Sequence, residues 1–321
     1  MPAPAGDPYA GRVADPDAGV PFRKGHGTEN DFVLLPDPDG ALELTPARVR
    51  ALCDRHRGLG ADGVLRVVRT AALGEPVDGQ LPGAEWFAEW FMDYRNADGS
   101  VAEMCGNGVR VFARYLVEAG LVGAGAGRGT DELVVGTRGG PKRVWFVDGT
   151  EGTEGTDGTE TADGAEVGVA MGAVRVGGQS IATVAGREFP GLVVDVGNPH
   201  LACVTDVPLD ELDLTVSPGY DPADFPFGVN IEFLTPPSAG ATRMRVFERG
   251  VGETRSCGTG TVAGAAAALR HAGRAEGALT VYVPGGRVLV ALSGGEATLT
   301  GPAVLVAAGE ISAEWWRSLS G

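Results

Sequence analysis

The chain reads as an α/β protein of two similar halves, each a mainly antiparallel sheet wrapped around one long helix. Three observations predict this. Cys105-Gly106-Asn107-Gly108 and Cys257-Gly258-Thr259-Gly260 are near-identical turns, each behind a polar, acid-containing lead-in and ahead of a helical pattern. Short strand-like runs far outnumber helical ones, which favours sheet folded around few helices. A Gly/Thr-rich acidic stretch near 149–164 separates the halves.

In the first half, Phe22 to Leu35 reads as a strand entering and leaving a polar knot, Lys24-Gly25-His26-Gly27-Thr28-Glu29-Asn30-Asp31. Thr45-Pro46 is an N-cap followed by a first-turn proline. The helix it starts carries Val49, Leu52, Cys53 and His56 on one face and is expected to end near Gly58. Trp86 to Tyr94 alternates as a strand does. From Gly106 to Ala119, apolar side chains at Val109, Phe112, Ala113, Leu116 and Val117 recur three and four residues apart, predicting a helix that stops at Gly120. Leu133 to Val147 holds two short strands around Thr137-Arg138-Gly139-Gly140.

The second half repeats the order. Strands are expected at Val167–Met171 and Leu192–Val196, then a polar knot, Gly197-Asn198-Pro199-His200. Strands at Val229–Leu234 and Met244–Phe247 lead to the second cysteine turn. Its helix, Gly260 to His271, is filled with alanine, so surrounding sheet can enclose it closely. Leu279–Val283, Val288–Leu292 and Ala297–Thr300 complete the strands.

At 321 residues, two domains are the default. The formal charge of −16 argues against nucleic acid or an anionic membrane as partner. No apolar run approaches the ~18 residues of a membrane span. The first 20 residues, rich in Pro, Ala, Gly and Asp, lack a basic region and an apolar core. They read as a disordered tail rather than an export signal, which predicts a reducing cytoplasm and four free thiols. The acidic stretch reads as a solvated loop without a function of its own. Only Lys24 and Lys142 could supply a pyridoxal-phosphate Schiff base. No paired-cysteine or paired-histidine spacing points to a metal.

A thiol with an ordinary pKa of about 8.5 is mostly protonated at neutral pH. At a helix N-terminus, unpaired N–H groups and the dipole favour its anion. Cys105 and Cys257 both occupy such positions. The glycines behind them leave N–H groups open to a carboxylate, which they would grip harder as it becomes an enediolate-like dianion. One donor of that kind is worth roughly 3 kcal/mol in a transition state. Two thiols on opposite faces of one α-carbon would invert it without a cofactor. One sulfur removes the proton and the other returns one.

These motifs, together and in order, resemble the diaminopimelate epimerase family. The resemblance spans about residues 21–315 and rests on His26-Gly27-Thr28-Glu29-Asn30-Asp31-Phe32, Asn96-Ala97-Asp98-Gly99-Ser100, Met104-Cys105-Gly106-Asn107-Gly108, Gly197-Asn198-Pro199-His200 and Glu248-Arg249-Gly250 leading to Cys257-Gly258-Thr259-Gly260. It implies two pseudo-symmetric domains, each a barrel-like sheet around a central helix. The implied boundaries are a tail at 1–20, an N-terminal domain at 21–150 to which 301–321 returns, the loop at 151–164 and a C-terminal domain at 165–300. It implies interconversion of LL- and meso-diaminopimelate, in lysine and peptidoglycan-precursor synthesis, without cofactor or metal. Cys105 and Cys257 would be the catalytic pair, with His200 and Glu248 tuning them. Gly106, Asn107, Gly258 and Thr259 would hold the reacting carboxylate. Asn30, Asn96, Asn198, Asn230, Glu248 and Arg249 would meet the substrate's polar groups, especially its far amino-acid end. Asn supplies donor and acceptor, and Arg a fork for a carboxylate.

Other readings remain open for single residues. Asn30, Asn96 and Asn198 also suit turns, His200 a core histidine bonded to a carbonyl, and Glu248-Arg249 a surface ion pair. The chain departs from the family at Glu29, where Gly is commoner, and at Gly63, where many members carry a polar side chain. The resemblance also allows a homodimer, with Ala307 where some members place an aromatic residue at the interface. Proline or histidine racemase-like activity is one alternative. Gly258-Thr259-Gly260-Thr261-Val262-Ala263 has the form of a dinucleotide-binding turn, but the polar segment before it does not suit one. A non-catalytic binding or scaffold protein is the third.

Overall fold

The computed structural model describes residues 15, 17–76, 87–123, 125–129, 132–147 and 166–319. Most of the expected tail, all of the expected acidic loop and Trp86 lie outside the described residues. The chain divides into two compact units, one of Met1–Gly27, Asp31–Val167 and Pro302–Gly321, the other of Thr28–Asn30 and Gly168–Gly301.

The chain starts with β1 (Val20–Gly27), β2 (Asn30–Pro36), α1 (Pro46–Cys53), β3 (Gly63–Arg69), β4 (Trp90–Asn96), α2 (Gly106–Glu118), β5 (Leu133–Gly136) and β6 (Lys142–Val147). β2 and β3 run parallel with Phe32 opposite Gly63, β3 and β4 antiparallel with Leu65 opposite Tyr94, and β4 and β5 parallel with Trp90 opposite Val135. Gly63 must be glycine, because a Cβ there would lie 2.6 Å from the Arg95 carbonyl oxygen and from the Tyr94 ring.

Thr45 Oγ1 accepts the Arg48 N–H at 3.3 Å, a cap worth about 1 kcal/mol, and Pro46 begins α1 as expected. The helix ends earlier than the apolar spacing predicts. Asp54 leaves helical geometry, and its carboxylate accepts the N–H groups of His56 and Arg57 at 2.9 Å each. His56 therefore lies beyond the helix and is exposed. α2 ends as expected, with Ala119 as its C-cap and Gly120 left-handed at φ 65°. Val109, Phe112, Ala113 and Leu116 are wholly buried, each larger side chain contributing roughly 1.5–3 kcal/mol.

The chain enters the second unit within β7 (Glu166–Ala173) and continues with β8 (Arg175–Val184), β9 (Arg187–Asp195), β10 (Pro199–Val204), β11 (Asn230–Leu234), β12 (Ala241–Glu248), β13 (Gly252–Thr254), α3 (Gly258–His271), β14 (Gly277–Val283), β15 (Gly286–Ser293) and β16 (Glu296–Gly301). β8, β9 and β10 pair antiparallel, β10 and β11 parallel, and β11 and β12 antiparallel. β12 then runs parallel to β14, which leads antiparallel into β15 and β16. Strands β9–β12 and β14–β16 all pack on α3, the sheet-around-a-helix arrangement the sequence predicts. The small residues of α3 are a requirement of that enclosure. A Cβ on Gly264 would lie 2.8 Å from Leu234 and 2.9 Å from the Met244 sulfur.

Three differences from the sequence reading affect this unit. Neither β8 nor β13 is among the expected strands. Pro199 and His200 begin a strand rather than sitting in a knot, which fixes the His200 side chain on a sheet.

The chain closes with β17 (Val304–Ile311) and α4 (Ala313–Ser318). β17 pairs antiparallel with β1, Val20 opposite Ile311. In the first unit, β1, β3–β6 and β17 all pack on α2. Ile311 and Trp316 join Val20, Val33, Val49, Leu52 and Val64 in one apolar cluster.

Candidate active site

Both cysteines cap their helices in the same way. Cys105 is the N-cap of α2 with φ −140° and ψ 119°, and the Gly108 N–H donates to its sulfur at 3.5 Å. Cys257 is the N-cap of α3 with φ −123° and ψ 119°, and the Gly260 N–H donates to its sulfur at 3.4 Å. Each sulfur sits where a serine or aspartate oxygen would cap a helix. Gly106 and Asn107 form the first turn behind one, Gly258 and Thr259 behind the other.

The electrostatic surroundings of the two thiols differ. Arg110, one turn along α2, is wholly buried. Burial lowers its pKa to about 10, while Cys105 and Glu166 act in the opposite sense. A guanidinium there favours a thiolate at Cys105. Cys257 faces carboxyls instead. Burial first, then Glu248 and Glu232, raise its pKa well above the ordinary value, against the Gly260 N–H and Thr259. For Cys257 the helix terminus therefore does not prevail, contrary to the expectation of an easily ionised thiol. The Thr259 hydroxyl lies 3.7 Å from its sulfur.

Glu248, at the end of β12, accepts a hydrogen bond from Thr254 Oγ1, and its carboxyl acts on the Cys257 thiol electrostatically. Burial raises its pKa. Its neighbour Arg249 is exposed and donates from Nη1 to the Phe227 carbonyl at 2.7 Å. The two side chains thus have separate partners, unlike the surface-pair reading. Asn230 Oδ1 accepts the Arg249 N–H at 2.9 Å.

His200 is wholly buried. Its Nδ1 lies 2.7 Å from Glu232 Oε1 and its Nε2 lies 3.0 Å from Asn198 Oδ1, so it bonds side chains rather than a carbonyl of the core. The other end of the Asn198 amide reaches Thr259 Oγ1 at 3.4 Å. His200 stands opposite Asn230 across β10 and β11, and strand alternation puts Asn230 and Glu232 on one face. His200, Asn198, Glu248, Asn230 and the Cys257 turn are thereby assembled in the second unit.

Thr28 and Glu29 adopt left-handed φ values of 51° and 58°, the conformation that suits the glycine commoner at the second position. Thr28 Oγ1 lies 2.7 Å from Ser256 Oγ, and Glu29 pairs with Arg255. The turn carrying Asn30 is so anchored beside the second cysteine turn. Asn96 ends β4 in the first unit, and its Nδ2 donates to Ser100 Oγ at 3.0 Å, as a turn residue's does.

Sequence reasoning gives no individual role to Glu232, Thr254, Ser256 or Arg110. Glu232 carried a signal, a carboxylate inside the apolar run Val229–Leu234. Cys53 and Cys203 are buried thiols, each pushed up to about 12 by burial. Among the described residues, no cluster of His, Cys, Asp and Glu suits a metal ion, and no helix is long and apolar enough to cross a membrane.

The fold is shared with solved structures of differently named proteins. A hydroxyproline epimerase from Agrobacterium vitis superposes with a TM-score of 0.60 at 16% identity, covering 91% of this chain and 92% of that one. A Bacillus anthracis phenazine biosynthesis protein of the PhzF family gives the same score and identity over 91% of this chain and 99% of that one. The diaminopimelate epimerase family model matches residues 22–160 and 192–306. The diaminopimelate epimerase of Rhodococcus jostii strain RHA1 is 57% identical over 93% of this chain and 99% of its own. The chain belongs to the diaminopimelate epimerase family.

Proposed function

We infer that the protein interconverts LL- and meso-diaminopimelate by a two-thiol proton exchange, without a cofactor, in lysine and peptidoglycan-precursor synthesis. The observation that carries the mechanism is the repeated cap, a cysteine sulfur held by the N–H three residues on, at 3.5 Å in one unit and 3.4 Å in the other. The substrate's α-carboxylate is gripped by N–H groups of Gly106, Asn107, Gly258 and Thr259. The Cys105 thiolate, favoured by Arg110, takes the α-proton and becomes a thiol. The C–H electron pair moves into the carboxylate, giving an enediolate-like dianion that the N–H groups stabilise. The Cys257 thiol, kept protonated by its carboxyl neighbours, gives its proton to the opposite face and becomes a thiolate. The reverse reaction exchanges the two sulfurs.

Glu248 and His200 tune Cys257 in this reading. The electrostatic action of Glu248 on the Cys257 thiol supports that role. Asn30, Asn96, Asn198, Asn230 and Arg249 meet the distal amino-acid head, for which the exposure of Arg249 is the main support. The setting is the cytoplasm. A homodimer is the assembly to test, by sedimentation.

Incubation of LL-diaminopimelate with the enzyme in D₂O tests the reading, following α-deuteration and stereochemistry together. Deuterium is expected at the inverted centre, and Cys105→Ala and Cys257→Ala each lose inversion by about a thousand-fold. Faster inversion of a simple monocarboxylic amino acid, or inversion that survives either substitution, would overturn it.

A further inference from the structure

The most heavily buried acid of the second unit enters the reaction as described only as a carboxyl neighbour of Cys257. Glu232 is wholly buried on β11. One carboxyl oxygen lies 2.7 Å from His200 Nδ1, and the other, Oε2, is buried without a hydrogen-bond partner. A carboxyl in that position is costly unless it serves its one contact.

The hydrogen-bond polarity of the chain of groups follows from the Asn198 amide. Its nitrogen faces the Thr259 hydroxyl at 3.4 Å and its oxygen faces His200 Nε2 at 3.0 Å. An amide oxygen only accepts, so His200 Nε2 carries a proton. The contact between His200 Nδ1 and Glu232 Oε1 then holds one further proton. That proton sits on the acid, beside a neutral imidazole, or on the imidazole, beside a carboxylate. The pair is neutral overall in both forms, which is how it tolerates complete burial.

We propose that Glu232 is the positioning residue of this half-site: it shares one proton with His200 Nδ1 and so fixes the imidazole with its Nε2–H on Asn198, which passes the alignment to Thr259 and the Cys257 turn. The role in catalysis rests on the epimerase reading, while the alignment itself does not. Burial raises the Glu232 pKa, with His200 opposing, as a shared proton requires. Glu232 also lies against the helix directly. A Cβ on Gly260 would come within 2.6 Å of its Oε1, so acid and cysteine turn are in contact.

The test uses the full chain labelled with nitrogen-15 histidine. Only four histidines are present, and the His200 signals are assigned by their loss in His200→Asn. In the unsubstituted protein, Nε2 of His200 is expected to be protonated. Glu232→Met removes the partner of Nδ1. The ring then samples both tautomers, and kcat falls about ten-fold or more in both directions with KM nearly unchanged. Glu232→Gln can donate an amide N–H to Nδ1, which restores the Nε2–H tautomer and brings kcat back to within about three-fold. An unprotonated Nε2 in the unsubstituted protein would overturn the proposal even if the methionine variant does not fold. So would a methionine variant with unchanged ring signals and kcat, or Gln and Met variants that lose activity only in step with their melting temperature. If the unsubstituted enzyme inverts no diaminopimelate, the functional reading fails, and the nitrogen spectra still decide the alignment.

Discussion

Glu232 occupies the space that a side chain at Gly260 would need, its Oε1 standing 2.6 Å from where that Cβ would be. The matching glycine of the first unit, Gly108, has no such neighbour. A Cβ there would meet Leu65 at 3.4 Å, Cys105 Cβ at 3.5 Å and the Met92 sulfur at 3.6 Å, all ordinary contacts. Two glycines at the same place in matched motifs thus have different reasons to be glycine. Gly260→Ala is expected to destabilise the protein by about 1–3 kcal/mol through overpacking against a buried carboxyl. Gly108→Ala should be neutral, or stabilise by about 0.5–1 kcal/mol through lower chain entropy in the unfolded state. Urea unfolding of both variants checks the contrast, and equal losses would refute it.

The two catalytic-candidate thiols should differ in reactivity. Cys105 is half-buried beside a guanidinium, whereas Cys257 is buried among carboxyls that raise its pKa. Each unit of raised pKa cuts the thiolate fraction about ten-fold. Iodoacetamide near neutral pH is therefore expected to label Cys105 first, by about ten-fold or more, as read by peptide mass spectrometry. Glu248→Gln removes one carboxylate and should speed labelling of Cys257 alone. Labelling of Cys257 first would contradict the electrostatic asymmetry.

Alkali should destabilise the fold through its buried thiols. Burial raises the Cys53 and Cys203 pKa values from the ordinary thiol range, about 8.5–9, to about 12. Between those values the folded chain keeps protons that the unfolded chain releases. Their stabilisation is thus fully present below pH 9 and is lost as the pH rises toward 12, by up to about 1.4 kcal/mol per pH unit for each thiol. Cys203→Ala should lower stability at neutral pH through its cavity but flatten the decline above pH 9. A decline of unchanged slope would show that Cys203 titrates normally.

The first unit holds a buried acid of the opposite kind. Asp93 has no exposed surface and lies 2.9 Å from Arg66 Nε, 2.9 Å from Arg95 Nε and 2.8 Å from Arg138 Nη1. Burial alone would raise its pKa, but Arg95, Arg138 and Arg66 together hold it below the ordinary range. Its contribution is present above the ordinary carboxylate pKa and is lost as the pH falls through the depressed value. Asp93→Asn removes the acid shared by three guanidinium groups, of which Arg66 keeps Asp37 and Arg138 keeps Glu75, and is expected to cost about 3 kcal/mol. A variant that unfolds at the same urea concentration would sink this account.

Much of this arrangement could be read from residue patterns. The two caps, the apolar face of α2 and the alanine-rich α3 were legible because each depends on residues close in the chain. β8 was not. Its Gly177-Gly178-Gln179-Ser180 stretch is polar, and burial alternates only at Ser180, Ala182 and Val184. The α1 boundary was missed because the side-chain bonds of Asp54 override apolar spacing. The Glu232–His200 contact joins strands 32 residues apart in the chain, and nothing local announces such a partner. The raised pKa of Cys257 likewise depends on carboxyls brought in by two other strands.

The pairing of β1 with β17 sets an order of events during synthesis. The first strand of the first unit emerges before the stretch Gly168–Gly301, and its partner at Val304–Ile311 emerges after it. The second unit, apart from Thr28–Asn30, is made of the intervening stretch Gly168–Gly301. It is therefore translated whole while the first unit still lacks a strand against α2, so the half that starts first must finish last.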